Sequence, residues 1–432
     1  MIEITHIKRS EISDGRLFAF SVDAPQPGHQ PYPYSIDIFG YIVPKKGVIS
    51  RISVVGDGRT LQESEVWMPR PDVVQHLQGV PRITPDLLTA AASSGFHLSV
   101  SLLGIPTTFT LQVLAHYEDG AARVLASIEG QRERIALQFK PSLPPVISVH
   151  LGRSGSTWLM HLLAQHPDIL VHQRYPFESI IARHALRVAG VMASPHSPPR
   201  QKDLGALSEG FVTGPLPMFC LDEDPETQRW LRTEYVHRWM NFTLESVDAF
   251  HLALASRQNL SPKYFAEKAF AALPVLGMYQ ELYPNLRSLF LVRDFRDICC
   301  SRYSFSQEVT HEEKDRAREE VIAVMARQSA GLIEAWRQLG PGTHLIKYEE
   351  MVADPNRILG GVFEYLGLDH CPALIAQILE RAAPETQRMA RHQTSGGPQQ
   401  SLQRWRRDLT PEQVALANEL GAPMLREFGY SI

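Results

Sequence analysis

Apolar and polar positions alternate most plainly in Phe109-Thr110-Leu111-Gln112-Val113-Leu114-Ala115-His116-Tyr117, where the odd positions are apolar or aromatic. That is the period of a half-buried strand. Glu118-Asp119-Gly120 then supplies a turn, and Arg123–Ile128 resumes as a hairpin partner. Similar segments run from Tyr34 to Val43, Ile49 to Val55 and Phe96 to Leu103, with Asp57-Gly58 as a further turn. Short strands with few helices predict a small β-sandwich over residues 1–140. It shows no catalytic constellation, and its expected role is docking or accessory.

The pattern changes after Lys140-Pro141-Ser142-Leu143-Pro144-Pro145. Prolines suit neither helix interiors nor central strands, so this stretch predicts a linker. Beyond it, apolar runs alternate with helical periods: a strand at Val146–Leu151, a helix from about Ser156 to Gln165, and a strand at Ile169–His172. This is βαβ wiring and predicts an α/β domain over 141–432 with a parallel sheet. The Pro-, Gly- and Ser-rich stretch from Ala193 to Leu216 reads as a mobile surface loop. Pro225–Arg257 reads as helical, with Trp230, Tyr235, Trp239 and Phe242 at core spacings.

A length of 432 residues fits two domains, and a net charge of −4 gives no general attraction to nucleic acid or anionic membrane. Any anion site must therefore be local. Cys220, Cys299, Cys300 and Cys371 fall in no metal-ligand spacing, which favours buried thiols in a reducing compartment. With neither a leader pattern at Met1–His6 nor a long apolar run, the chain reads as cytoplasmic, without a membrane span.

One such local site stands where Val146–Leu151 runs into Gly152-Arg153-Ser154-Gly155-Ser156-Thr157-Trp158 and an apolar helix. Strand, small-residue loop and helix start form a phosphate cradle: the amides and the positive end of the helix dipole face the anion. Ser154, Ser156 and Thr157 add hydroxyls, Arg153 a charge, and Trp158 is placed to pack beneath. The loop is not Walker A, because Ser156 stands where that motif needs Lys, which disfavours a kinase or nucleotide hydrolase. A second strand, Ser288–Val292, delivers Arg293-Asp294-Phe295-Arg296-Asp297 at its carboxyl end, where open α/β sheets bind ligands. Ser301, two turns along the next helix, could share one phosphate with Arg293. The plainer alternative is a salt-bridged helix start, with Asp297 as its cap.

These blocks resemble the PAPS-dependent sulfotransferases (PAPS, 3′-phosphoadenosine 5′-phosphosulfate), especially bacterial and tyrosylprotein-type members, over roughly Pro144–Tyr430. Arg153–Thr157 is similar to the family's 5′-phosphosulfate loop, and Leu291–Asp297 with Ser301 to its 3′-phosphate motif. Lys347-Tyr348-Glu349-Glu350-Met351-Val352-Ala353-Asp354-Pro355, Phe363–Leu368 and Arg404–Thr410 resemble downstream segments, the last a cofactor-closing region. The resemblance implies a P-loop-like sulfotransferase domain with PAPS as donor and PAP as product. Arg293 and Ser301 would hold the 3′-phosphate, Arg404 would close over it, and Tyr348 would touch the cofactor. Arg153 and Lys268 would supply cations at the transferring group, so that no metal is required. The His that cytosolic-type members carry two residues after the Lys is replaced by Phe270, and the base passes to Glu178 in Tyr175-Pro176-Phe177-Glu178-Ser179, with Glu267 and His172 as alternates. The acceptor is expected to be a hydroxyl on a carbohydrate, peptide Tyr, lipid or small metabolite. A fold retaining cofactor affinity without turnover is the non-enzyme alternative. Fold analogy names neither the acceptor nor the oligomeric state.

Overall fold

The protein is described from a computed structural model covering residues 1–11, 15–81, 83–195, 224–271, 273–309, 317–383 and 394–432. The loop expected between Ala193 and Leu216 lies, from residue 196 on, outside the described residues, as does Cys220. Two compact units emerge: Met1–Gln138 with Val188–Phe242, and Phe139–Arg187 with Thr243–Ile432.

Among the described residues of the first unit, nine strands form two antiparallel sheets. They are β1 (Ile2–Arg9), β2 (Leu17–Ala24), β3 (Gly28–His29), β4 (Ser35–Pro44), β5 (Ile49–Gly56), β6 (Arg59–Ser64), β7 (Gly95–Ser101), β8 (Thr108–Tyr117) and β9 (Ala122–Arg132). The larger sheet runs β3-β1-β9-β8-β5-β6 and the smaller β2-β4-β7. Alternate residues of both meet in one core: Ile2, Val22, Ile38, Phe96, Leu111 and Ile128. The predicted hairpins are present, Asp57-Gly58 turning β5 into β6 with both residues at positive φ. Helices at Pro71–Gln78 and Pro85–Ala92 were not foreseen.

Arg232 explains why part of the later chain belongs here. It donates to Asp37 at 2.7 Å and to Ser99 at 3.0 Å. Spacing misread the nearby aromatics: Trp230 is 47% exposed and Phe242 59%. The four rings instead meet one another, Trp230–Tyr235 at 5.9 Å, Tyr235–Trp239 at 6.1 Å and Trp239–Phe242 at 5.8 Å, while Val236 and Met240 face inward.

The second unit is α/β. Its strands β10 (Pro145–His150), β11 (Ile169–Leu170), β12 (Tyr264–Lys268), β13 (Arg287–Val292) and β14 (His344–Lys347) pair in parallel in the order β11-β12-β10-β13-β14. β10 is buried at every residue, Ser148 and His150 included, as befits a central parallel strand covered on both faces. Being first in sequence and central in space, it places the order reversal between itself and β13. The crevice at their carboxyl ends is where such sheets take ligands.

Candidate active site

At the carboxyl end of β10 the chain turns through Leu151–Gly155 into the helix Ser156–Leu163, with Arg153 at φ 71° and Gly155 at φ 94°. The Ser154 hydroxyl donates to the Leu151 carbonyl at 2.8 Å, so it pins the loop and only the residue's backbone amide is left for an anion. Gly155 is required twice. Its backbone is left-handed, and a Cβ there would lie 2.4 Å from Cδ2 of Tyr348. Trp158, 8% exposed, packs into the core under the helix and donates to Ala382 at 3.2 Å.

β13 delivers Arg293 beside this loop. Its guanidinium donates to the carbonyls of Arg153 (3.1 Å) and Ser401 (2.6 Å) and lies 4.5 Å from the Tyr348 ring centroid. Arg293 is 3% exposed, its Nε is buried without a hydrogen-bond partner, and no carboxylate pairs with it among the described residues. Arg153 in turn donates to Ser301 at 3.2 Å and stacks on Phe305. Burial, then the charge of Arg293, lowers the Arg153 pKa to about 10, which still leaves it a cation at neutral pH. Buried Arg293 beside half-buried Arg153 concentrates positive charge at these strand ends and suits an anion.

The second wall of the site comes from residues 394–405. Ser401 shares a hydrogen bond with the Tyr348 hydroxyl at 2.9 Å, and Thr394 with Ser301 at 3.0 Å. Arg404 reaches Thr394 (3.1 Å), Ser304 (3.0 Å) and Asp408 (2.7 Å). Asp297 does not cap its own helix. Asp294 does so, accepting from the Arg296 amide at 2.9 Å, while the Asp297 carboxylate accepts the amides of Gln403 (2.8 Å) and Trp405 (3.1 Å).

Lys268 ends β12. Its ammonium contacts Thr157 (3.1 Å) and Glu178 (2.9 Å), and burial pulls its pKa down against the opposing charge of Glu178. Glu178 follows Phe177, which is held at φ 58° with its ring stacked on His161 at 4.0 Å. Glu267, fully buried, accepts from the Ser179 hydroxyl (2.7 Å) and the Ala182 amide (3.1 Å), so it anchors the start of the helix Ile181–Met192. His172 is half-buried, and its Nδ1 has no partner among the described residues. Thus Arg153, Gly155, Arg293, Ser301 and Tyr348 share one network, joined to Arg404 through Thr394. Thr157, Lys268 and Glu178 form a second. The contacts of Thr394 and Ser401, and the hold of Asp297 on Gln403 and Trp405, join residues far apart in sequence and are announced by no local motif.

A model described as "Sulfotransferase family" matches residues 144–372, just over half of the 432-residue chain. The chain belongs to the sulfotransferase family. The chain is distantly similar to several solved sulfotransferases. The sulfotransferase domain from the Synechococcus PCC 7002 olefin synthase is 19% identical, covering 70% of this chain and 100% of that one, with a TM-score of 0.37. Mouse sulfotransferase SULT7A1 complexed with PAP is 13% identical, covering 66% and 85%, with a TM-score of 0.39. Sulfotransferase STF9 from Mycobacterium avium is 17% identical, covering 68% and 79%, with a TM-score of 0.36. At these scores the likeness carries nothing about ligand or substrate. No curated protein matches the chain. Among the described residues, no helix is long and apolar enough to cross a membrane, and no cluster of potential metal ligands occurs.

Proposed function

We propose that this chain transfers a sulfuryl group from PAPS to an acceptor hydroxyl. The supporting observation is buried Arg293 beside half-buried Arg153 at adjacent strand ends, with an orphaned guanidinium Nε and, among the described residues, no carboxylate on Arg293. The residues present fit the donor: guanidinium groups, hydroxyls and loop amides are what phosphates and a sulfate require. Arg293, Ser301 and Arg404 would hold the 3′-phosphate, with Tyr348 against the nucleotide. The amides of Ser154–Thr157 and the Arg153 guanidinium would hold the 5′ end. The donor, when bound, supplies an activated sulfuryl group on its 5′-phosphate.

Glu178 is placed to take the acceptor's hydroxyl proton as the acceptor oxygen forms its bond to sulfur. The bond from sulfur to the 5′-phosphate oxygen breaks, and PAP leaves with that electron pair. Lys268 and Arg153 stabilise the charge gathering on the bridging and transferred oxygens. Lys268 also orients Glu178 through their 2.9 Å contact. These cations would do the work that a metal does in nucleotide kinases. Glu267 is less suited to be the base because its acceptor capacity is already used. The β-sheet unit is proposed as an accessory module.

The test is Glu178→Gln, with labelled PAPS and a panel of hydroxyl acceptors. Turnover should fall about 100-fold or more, the usual contribution of a positioned base, while PAP affinity stays near that of the unaltered protein. Undiminished turnover refutes this assignment of the base.

A further inference from the structure

Phe270 stands two residues past Lys268, its backbone left-handed at φ 54°. Two polar groups meet its ring: the Arg183 guanidinium carbon lies 4.7 Å from the ring centroid, and the His150 ring centroid 4.7 Å away. Arg183 sits in the first turn of the helix Ile181–Met192, where its own amide donates to Glu267 at 3.3 Å, so its backbone is fixed. Its guanidinium, half-buried, has neither hydrogen bond nor carboxylate among the described residues. A cation–π contact contributes modestly and leaves the charge uncompensated.

Glu267, which accepts the Arg183 amide, is also held by Ser179, Ala182 and Tyr279, and Glu178 is paired with Lys268. His150 is 1% exposed, and neither ring nitrogen has a partner among the described residues. Burial, then the charges of Lys268 and Arg183, hold its pKa down to about 3, so it is neutral at working pH. Around Phe270, then, lie one full positive charge and a buried neutral imidazole with unused polar capacity. The chain around Glu178 offers the opposite character, since Tyr175, Ile180 and Ile181 are 37%, 42% and 36% exposed.

We propose that Arg183 recognises the acceptor, and that the acceptor is a molecule with an apolar body and a carboxylate or other anionic group near the hydroxyl that is sulfated. This rests on the reading that Glu178 and Lys268 mark the acceptor's reacting end. Arg183 would act on binding and orientation, with the hydroxyl toward Glu178 and the anion against the guanidinium, whose planar fork matches a carboxylate.

The test compares matched acceptors with labelled PAPS: a phenol bearing a carboxylate, its neutral amide and its amine; a uronate against its neutral hexose; a hydroxy fatty acid against its methyl ester. In whichever class turns over, the acid should exceed its neutral partner in kcat/KM by roughly 10-fold or more, the worth of one charge-assisted pair. Arg183→Gln should erase that ratio through KM while leaving the neutral partner's kcat/KM and PAP affinity unchanged. Arg183→Glu should turn the preference toward the amine, a gain that misfolding cannot produce. A neutral partner used equally well, or an acid preference that survives Arg183→Gln, overturns the proposal and leaves the PAPS reading standing. Tight PAP binding with no turnover of any pair overturns the transfer reading itself, and this proposal with it.

Discussion

Asp297→Asn isolates what holds the wall of residues 403–405 in place. The carboxylate accepts two amides, Gln403 at 2.8 Å and Trp405 at 3.1 Å, and the Arg296 guanidinium stacks on Trp405 at 4.1 Å. Burial raises the Asp297 pKa from 3.8 to about 6, against the opposing pull of Arg293 and of the two amides, with Asp294 adding to the rise. At about 1.36 kcal/mol per pH unit, ionisation of the folded protein's carboxyl costs about 3 kcal/mol more than in the unfolded chain. The sign follows from proton counting. Between pH 4 and about 6 the folded state holds the extra proton, so Asp297 makes stability fall as pH rises through that window and level off above it. Asparagine removes the ionisation cost, keeps one acceptor and turns an NH₂ toward the other amide, a loss of about 1–3 kcal/mol. The two effects nearly cancel at pH 7. The melting temperature there should hardly move, its Asp297-linked decline between pH 4 and 6 should vanish, and PAP affinity should drop about 10-fold as Ser401 and Arg404 loosen. Thermal unfolding across pH, paired with calorimetric PAP titration, reads both. Unchanged PAP affinity, or a pH slope identical to that of the native protein, refutes the reasoning.

Gly155→Ala places a Cβ 2.4 and 2.6 Å from Tyr348 ring carbons and strains a backbone at φ 94°, a conformational cost of about 1–3 kcal/mol. PAP affinity should fall at least about 10-fold in calorimetry, with the secondary structure kept by circular dichroism. Glu267→Ala removes a buried acceptor of the Ser179 and Ala182 donors and should lower urea-unfolding stability by about 3 kcal/mol. Turnover per folded molecule should persist, whereas a stable variant without turnover would make Glu267 the base.

The strand-loop-helix from Val146 to Leu163 was legible because every cue is local: an apolar run, glycines, then helical spacing. The same holds for the hairpin turned at Asp119-Gly120 and for the β13 delivery of Arg293. The pairing of Gly155 with Tyr348, or of Asp297 with Gln403, was not legible, because those contacts join distant residues and carry no period. Trp230 and Phe242 show a different limit. Helical spacing puts large rings on one flank but does not say which neighbour covers them, and here Trp230 leans on Tyr235 and Phe242 meets Trp239 edge-on while both stay largely exposed. Ser154 belongs to a third kind: its residue type suits a ligand donor, but its hydroxyl proton goes to the Leu151 carbonyl three residues back.

The central claim is that the ends of β10 and β13 grip opposite phosphates of one adenosine nucleotide. Calorimetric titration of the unaltered protein and Arg293→Ala with PAP and with adenosine 5′-phosphate, which lacks the 3′-phosphate, tests it most directly. The account predicts a PAP preference of about 100-fold, from charge-assisted bonds of about 1.5–3 kcal/mol, that the substitution abolishes while weakening adenosine 5′-phosphate little. Equal affinity for the two nucleotides, or equal losses on substitution, would contradict it.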